Sequence, residues 1–553
     1  MKKFTLLIIT AIIMLSGVTV LAEEEFKVVK IPYNETENTY ELAARYKDSK
    51  QVIPLSMFYD GYIFATVPAE NAHKEIEGFI PSEYKFSDYD PVHYEYSVME
   101  TLAKYGVILG NEKGEAKPFD KVTRAEATAM IMRLLGLDSY AGYEVSFRDI
   151  SKDDWYYNVV AKANKCGLVL GDSETEFAPN RNVTREEIVV MISRAMDFAS
   201  LGKNKEMYSA KDVNLISDWA IDAYKALGGY VASDSDVSDP ENPVRVLLPQ
   251  QNATRFDIAY MIDNIIRFCQ LYPSQDAINF GFDKKMPKVD GSTSTYPFTQ
   301  AVYQALFSNG HLHKDMPKAH SKSHASYEKL INGEVDMLFA SVYPASDILA
   351  LAQEKDVELE LIPIAYDAMI FFTNIENTAK GLTKEQISEI YVNNTYKNWN
   401  EIGGEDALLY PYCRNNDSGS HAQMEKHFLN GNEINEKIRQ ETTSMTMSNV
   451  LTDVMSAKTE NPQGFGLGYS IYYYFNNMDM FYNTKSKLKL LEIDGVAPND
   501  QTIADGSYPL SNNTYVVLRK DTPTDSPARK MTEFMLTENG QTCVESAGYG
   551  KLK

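Results

Sequence analysis

One pattern recurs along the chain from Phe86 onward, and internal repetition restricts the fold more than any other feature of this sequence. Each unit opens with an aromatic residue and an aspartate, continues into a helix-like stretch that ends in a glycine turn, and closes with a Thr-Arg pair before a second helix. The Thr-Arg pairs open the segments 123–126, 184–187 and 254–257, which all end in an acidic residue. Threonine with an acid at this spacing is a capping box, which satisfies backbone N–H groups at a helix start. The sequence therefore predicts three related α-helical units over residues 85–271.

The arginine of each Thr-Arg pair has no part in the helix cap, so its recurrence points to another role. These residues are Arg124, Arg185 and Arg255. The units resemble S-layer homology repeats, which hold exported proteins on bacterial cell walls, although the third unit departs from the family pattern at Phe256 and Asp257. The resemblance implies a three-fold helical prism whose grooves bind a pyruvylated secondary cell-wall polymer through these arginines. The alternative is that the arginines pair with Glu126 and Glu187 on solvated helix faces.

The first 22 residues have the pattern of a secretory signal, with Lys2 and Lys3 before an apolar run and Ala22 as the expected cleavage point. We therefore expect an exported protein that its repeats retain on the cell wall. The formal net charge of −23 argues against nucleic acid or an anionic membrane as a partner. Residues 23–84 alternate apolar and polar positions over much of their length, which predicts a small β-rich leader.

Residues 286–553 are long enough for a two-lobed α/β unit, and residues 272–285 predict a linker before it. Several turns in this last part carry hydroxyl side chains directly before helix-like stretches. The residues concerned are Ser294, Thr295 and Ser323, and then Ser418, Gly419 and Ser420, which follow Arg414 after an apolar run. Helix starts present unpaired backbone N–H groups, and arginine adds a planar fork of donors, so these turns suit a small tetrahedral oxyanion.

The order of segments in this part resembles the periplasmic-type phosphate-binding proteins of ABC importers. The likeness rests on the hydroxyl turn at 292–295, the strand-like run 362–372, Trp399 and the segment 464–470. It implies a multidomain protein whose last part is a Venus-flytrap fold of the type II periplasmic-binding-protein class, in which the residues named above and Ser341 hold phosphate. It also implies an ABC permease as a further partner. Capture by lobe closure requires no catalytic residue, metal or cofactor.

Ser341 stands where the family often has an aspartate that accepts the proton of hydrogenphosphate. A carboxylate there would repel sulfate, whereas a hydroxyl can donate or accept a hydrogen bond. Asp417 is a candidate to compensate for the change. The sequence thus leaves open phosphate or sulfate as the ligand, and also a domain that has lost its ligand and serves as a surface coat or adhesin.

A cluster of histidines offers a metal site as an alternative. Half of the eight histidines of the chain lie in one short segment, at His311, His313, His320 and His324. Two imidazoles on one face of a strand can bind a transition metal. A solvated polar loop is the simpler interpretation, since no aspartate or cysteine stands at a matching spacing.

A hydrolytic enzyme is the other alternative. Ser418 lies near His421 in the sequence, and Asp367 or Asp417 could complete a triad. No strained nucleophile turn accompanies these residues, so we expect a binding protein and no enzyme. Among the four cysteines, Cys413 could have a lowered pKa beside an arginine, but no chemistry is assigned to it.

Overall fold

The computed structural model describes residues 26–33, 42–138, 141–236, 238, 243–415, 418–460 and 463–552. The predicted signal at residues 1–22 and Asp417 lie outside these residues. The chain divides into two compact units, one of Met1–Ser274 with Phe307–Lys314 and one of Gln275–Leu306 with Asp315–Lys553. No helix among the described residues is long and apolar enough to cross a membrane.

The first unit begins with antiparallel strands in the segment for which alternation predicts a β-rich leader. The strands are β1 (Phe26–Pro32), β2 (Ala43–Tyr46), β3 (Val52–Ile53), β4 (Ser56–Tyr59), β5 (Tyr62–Pro68) and β6 (Ile76–Phe79). They form one sheet in the order β1-β5-β4 and another in the order β3-β2-β6. Ile53, Ile63 and Val67 are buried between them in an apolar cluster.

Helices follow in the repeat region, with a short hairpin before the last of them. They are α1 (Tyr94–Lys104), α2 (Arg124–Leu134), α3 (Tyr157–Lys165), α4 (Arg185–Phe198), α5 (Ile221–Leu227) and α6 (Arg255–Phe268), and the hairpin consists of β7 (Asp234–Asp236) and β8 (Val244–Val246). A capping box starts each of α2, α4 and α6, at Thr123, Thr184 and Thr254.

The residues just before these three caps hydrogen-bond to one another in a closed cycle. Val122 N–H donates to the carbonyl of Ala253 (3.1 Å), Ala253 N–H to that of Val183 (2.8 Å), and Val183 N–H to that of Val122 (3.2 Å). Each repeat thereby accepts a hydrogen bond from a backbone N–H group of another repeat. The third repeat donates one and accepts one hydrogen bond in this cycle, as the first two repeats do, although its sequence departs from the family pattern.

The second unit is an α/β structure. Its first elements are α7 (Gln275–Phe280), β9 (Val289–Gly291), α8 (Tyr296–Leu306), α9 (Ser323–Ile331), β10 (Met337–Ala340), α10 (Ser346–Glu354), β11 (Leu359–Asn374), β12 (Gly381–Leu382), α11 (Lys384–Tyr391), β13 (Leu408–Pro411), β14 (Cys413–Arg414) and α12 (Gly419–Gln423). The others are α13 (Glu436–Glu441), β15 (Thr443–Ser444), α14 (Met447–Glu460), β16 (Gly464–Ile471), α15 (Tyr472–Asn477), α16 (Asp479–Tyr482), α17 (Thr484–Lys487), β17 (Leu488–Leu490), β18 (Glu492–Ile493), α18 (Asp500–Ala504), β19 (Ser511–Arg519), α19 (Pro527–Met535), α20 (Glu538–Ser546) and β20 (Gly550–Lys551).

The segment 272–285, expected to be a linker, is more ordered than that prediction. It contains α7, and Phe282 is buried with its ring edge-on to Phe534 at 6.2 Å between centroids. Apolar residues at 277, 280 and 282 lie among the polar ones, and they pack into the second unit instead of remaining in water.

The long strand β11 joins two lobes of the second unit. Its first part, Leu359 to Ala368, pairs with β19, and its second part, Met369 to Thr373, pairs with β16. The sheet order is β13-β16-β11-β19-β10-β9. One apolar core surrounds β10 and β19 and another surrounds the end of β11 and β16, so each lobe has its own core.

Candidate functional site

A cavity of about 310 Å³ is lined by residues of both lobes of the second unit. Six residues predicted to bind the anion line it, and they are Ser294, Ser323, Ser341, Arg414, Ser418 and Ser420. The structure therefore brings together hydroxyl groups from separate parts of the chain with one guanidinium.

Strand pairing explains why the first-lobe hydroxyls meet. β9 and β10 are parallel, so their carboxyl ends lie at the same edge of the sheet. Ser292 directly follows β9 and Ser341 directly follows β10. The hydroxyl oxygens of Ser294 and Ser341 consequently lie 3.4 Å apart.

Thr295 has a supporting position and does not line the cavity. It is fully buried, and its hydroxyl donates to the backbone carbonyl of Phe339 at 2.6 Å. This bond fixes the turn that presents Ser294 to the cavity. The prediction that Thr295 itself holds the anion differs from the structure because its side chain turns toward the sheet.

Lys322 is a cavity residue that no motif in the sequence indicates. It lines the cavity just before α9 and has a φ of 75°, a left-handed backbone conformation that costs a non-glycine residue free energy. Strained residues of this kind concentrate at functional sites. Lys322 adds a second cation beside Ser323, the first residue of α9.

Arg414 is a buried cation whose hydrogen bonds leave part of its guanidinium free for a ligand. The residue is 9% exposed. Nε donates to the carbonyl of Ser444 at 3.2 Å, and Nη2 lies 3.3 Å from Oδ1 of Asn415 and 3.4 Å from the carbonyl of Met445. Burial lowers the pKa of Arg414, but a guanidinium stays charged in proteins. No carboxylate of the described residues pairs with it, so the site favours an anion.

The predicted Ser-Gly-Ser turn begins helix α12. Gly419 is its first helical residue, and Ser418 Oγ lies 2.8 Å from Ser420 Oγ. His421 is buried and pairs instead with Glu425, at 3.1 Å from Nε2 to Oε1. The imidazole of His421 therefore has Glu425, and not Asp367, as its carboxylate partner.

Asp367 lies at the crossing between the lobes, where the pairing of β11 passes from β19 to β16. Oδ1 accepts from the N–H of Ala368 at 2.8 Å, while the buried Oδ2 has no hydrogen-bond partner among the described residues. Burial raises the pKa of Asp367 to about 8. Its charge would act on nearby Tyr549, whose hydroxyl donates to the carbonyl of Ser294 at 2.6 Å.

Two of the clustered histidines are buried, so the prediction of a solvated loop is wrong for them. His313 and His320 are each 8% exposed. Nδ1 of His320 lies 2.9 Å from the carbonyl of Ser292, and Nε2 lies 3.0 Å from the hydroxyl of Thr299. A carbonyl only accepts, so Nδ1 carries the proton, and burial lowers the pKa of the ring. His320 thus supports the first hydroxyl turn.

Cys413 does not have the lowered pKa that the adjacent Arg414 suggests from the sequence. The thiol is buried beside Thr443, and burial raises its pKa. The adjacent Arg414 lowers the pKa by a smaller amount, so the thiol is protonated at neutral pH.

Two of the repeat arginines are buried and Arg255 is half-buried, and all three lie where one repeat meets another. Arg124 and Arg185 are 7% and 4% exposed. Nη2 of Arg124 donates to the carbonyl of Leu170, and Nη2 of Arg255 to that of Leu109 at 3.0 Å. Each arginine also lies near the capping acid of another repeat. The nitrogen-to-oxygen distances are 3.7 Å for Arg124–Glu187, 3.6 Å for Arg185–Asp257 and 3.9 Å for Arg255–Glu126. Arg124 and Arg255 thus do pair with Glu187 and Glu126, but across repeats, and burial of Arg124 and Arg185 contradicts the solvated face expected for such pairs.

Comparison with known proteins separates the chain into the same two parts. Residues 85–128 and 146–189 match the S-layer homology domain, and residues 284–537 match the PBP superfamily domain. An amylopullulanase of Thermoanaerobacterium thermosulfurigenes is 32% identical over 197 residues, which cover 34% of this chain and 10% of that protein. The Surface-layer 125 kDa protein of Lysinibacillus sphaericus is 28% identical over 228 residues, covering 40% and 18%. The chain therefore spans less than a fifth of the length of these relatives.

Other relatives match the second part. The Phosphate-binding protein PstS of Staphylococcus haemolyticus (strain JCSC1435) is 24% identical over 271 residues, which cover 47% of this chain and 79% of that protein. A solved ABC-type phosphate transport receptor from Vibrio cholerae is 20% identical, with a TM-score of 0.37 and coverage of 48% of this chain and 98% of that one. The periplasmic-binding fold expected for the last part is confirmed by the family match. The chain thus combines S-layer homology domains at residues 85–189 with a domain of the PBP superfamily at residues 284–537.

Proposed function

We propose that the protein is held on the cell wall by its repeats and binds phosphate or a similar oxyanion between the lobes of its second unit. Closure of the lobes around the anion would be the whole mechanism, with no covalent step. The observation that carries the proposal is Arg414, a buried cation with no carboxylate partner among the described residues, in a cavity lined by seven serines from two lobes. The name of the staphylococcal relative is consistent with it.

The hydrogen-bonding groups of the cavity fit an oxyanion. Arg414 and Lys322 supply charge, and the hydroxyls of Ser294, Ser323 and Ser341 can each donate one hydrogen bond. A hydroxyl at Ser341 can also accept from a protonated phosphate oxygen without repelling sulfate. We therefore expect phosphate and sulfate to compete more closely than they would at a site with a carboxylate.

Calorimetric titration of the full chain with phosphate and with sulfate tests the proposal. Arg414→Ala should weaken phosphate binding by about 2–4 kcal/mol, because the remaining groups are neutral apart from Lys322. Arg439→Ala is the matched control, since Arg439 belongs to the same lobe and does not line the cavity. If neither anion produces heat or a shift in melting temperature, the domain is a structural or adhesive part of the surface instead.

Secretion, the three-fold prism and the wall polymer belong to the same proposal. The family matches at residues 85–189 support a cell-surface location. The cycle of hydrogen bonds among Val122, Val183 and Ala253 supports a prism that includes the third repeat. Buried Nε atoms of Arg124 and Arg185 have no hydrogen-bond partner among the described residues, which suits an acceptor brought by a pyruvylated polymer. Delivery of the bound anion to an ABC permease would follow the function of the importers that the sequence resembles.

A further inference from the structure

The cavity between the lobes is larger than an inorganic oxyanion requires. Its volume is about 310 Å³. A water molecule takes up about 30 Å³ in the liquid, so the cavity has room for roughly ten groups of that size. Orthophosphate, a single phosphorus with its oxygens, would leave part of this space unfilled unless the lobes close on it, so the chemistry of the lining decides between ligands.

The chemistry of the lining is also divided. The serine hydroxyls of the first lobe, Arg414 and Lys322 form a polar, cationic part. Apolar side chains form a second part of the lining, and they are Val342, Met445, Met447, Ile471 and Tyr474. All of them except Val342 belong to the second lobe. Met445 and Met447 follow β15, Ile471 ends β16 and Tyr474 lies in α15. Polar residues of the second lobe lie among them, namely Asn415, Ser418, Ser420, Thr446 and Ser448. No carboxylate is present among the described lining residues.

Met445 is the least protected of these apolar residues. It is 65% exposed, although it lines a cavity whose other residues include buried Ile471. Covering such a side chain with an apolar group releases water and is favourable. Methionine is flexible and polarizable, so it adapts to substituents of different shape, and the Tyr474 ring offers a flat apolar face beside it.

We infer that the site binds a phosphoryl group carrying an apolar substituent, as in phosphate monoesters and phosphonates, with Met445, Met447 and Tyr474 in contact with the substituent. The inference rests on the proposed anion site and names its ligand class. The two cations match a doubly charged phosphoryl group, and the apolar side chains lie where inorganic phosphate would leave them in water.

Titration of the full chain with inorganic phosphate, phenyl phosphate and phenylphosphonate tests the inference. We expect both phenyl compounds to bind at least about tenfold more tightly than inorganic phosphate, because the ring covers apolar surface. Phosphate binding with equal or weaker binding of the phenyl compounds overturns this inference and leaves the anion site standing. Failure of all three compounds to bind overturns both.

A pair of substitutions locates the effect on the apolar lining. Met445→Ser with Met447→Ser should lower the affinity for phenyl phosphate by about tenfold or more, and bring the ratio of the phenyl phosphate and phosphate dissociation constants close to one. Met480→Ser is the matched control, since Met480 is 86% exposed and does not line the cavity. Circular dichroism and the melting temperature verify that the variants fold. A ratio that stays as in the unchanged protein overturns the inference.

Discussion

Asp367 is an acidic residue that the fold places away from water. Its carboxyl is fully buried at the crossing between the lobes, and one oxygen has no hydrogen-bond partner among the described residues. Protonation avoids a buried charge, which is why its pKa is raised from the usual 3.8 to about 8. A neutral carboxyl also adds no negative charge near an anion site. Neutral Asp367 and charged Arg414 thus favour the same ligand.

The raised pKa of Asp367 predicts a pH dependence of stability. Between pH 4 and pH 8 the folded protein keeps this proton and the unfolded chain does not, so stability is highest below the usual pKa and falls as pH rises toward the folded pKa of about 8. The slope from this group is at most about 1.4 kcal/mol per pH unit. Asp367→Asn should remove that slope, measured by denaturant unfolding of the full chain from pH 5 to pH 8. Asp525→Asn, at an exposed carboxylate, is the control; identical slopes in all three proteins would contradict the prediction.

At the scale of elements, the capping boxes start three corresponding helices. In α4, the Thr184 hydroxyl accepts from Glu187 N–H at 3.3 Å; in α6, Thr254 accepts from Asp257 N–H at 3.1 Å. Helix caps of this type contribute about 1 kcal/mol. Because the cap geometry matches, the third repeat should depend on its helix cap as much as the second repeat does.

Thr184→Ala and Thr254→Ala should therefore have similar effects. Hydrogen–deuterium exchange of the full chain, followed by mass spectrometry, can report on the first turns of α4 and α6 separately. We expect exchange there to accelerate by about fivefold in each variant, the factor for a loss of about 1 kcal/mol. Thr175→Ala, at a threonine outside the caps, should change neither segment. Faster exchange in α4 without faster exchange in α6 would show that the third repeat does not depend on its cap as the second repeat does.

Local rules predicted the elements better than the cavity. The capping boxes follow from residues a few positions apart, so the sequence was sufficient to place α2, α4 and α6. The side-chain direction of Thr295 depends on the carbonyl of Phe339, which only the pairing of β9 with β10 brings near. Lys322 adopts a positive φ that its residue type rarely takes, and the apolar lining combines distant segments such as those of Val342 and Ile471. Such contacts leave no periodic signal in the sequence.

At the scale of the whole molecule, the two compact units have separable tasks under the proposed function. The arginines proposed for wall binding lie in the first unit, and the anion site lies in the second. Each unit has its own hydrophobic core. Loss of one activity should therefore leave the other intact, which distinguishes this arrangement from a single ligand site that needs both units.

Reciprocal variants test that independence. Arg124→Ala with Arg185→Ala should release the full chain from purified walls that carry the pyruvylated polymer, and phosphate affinity should stay within about twofold, because the substituted residues belong to the other unit. Arg414→Ala should weaken phosphate binding and leave wall retention unchanged. Sedimentation with walls measures retention, and Arg148→Ala, at an exposed arginine of the first unit, is the control. Because Arg124 and Arg185 are buried, circular dichroism must show that the double variant keeps its helices. Full retention by a folded double variant would contradict the assignment of these arginines to the wall polymer.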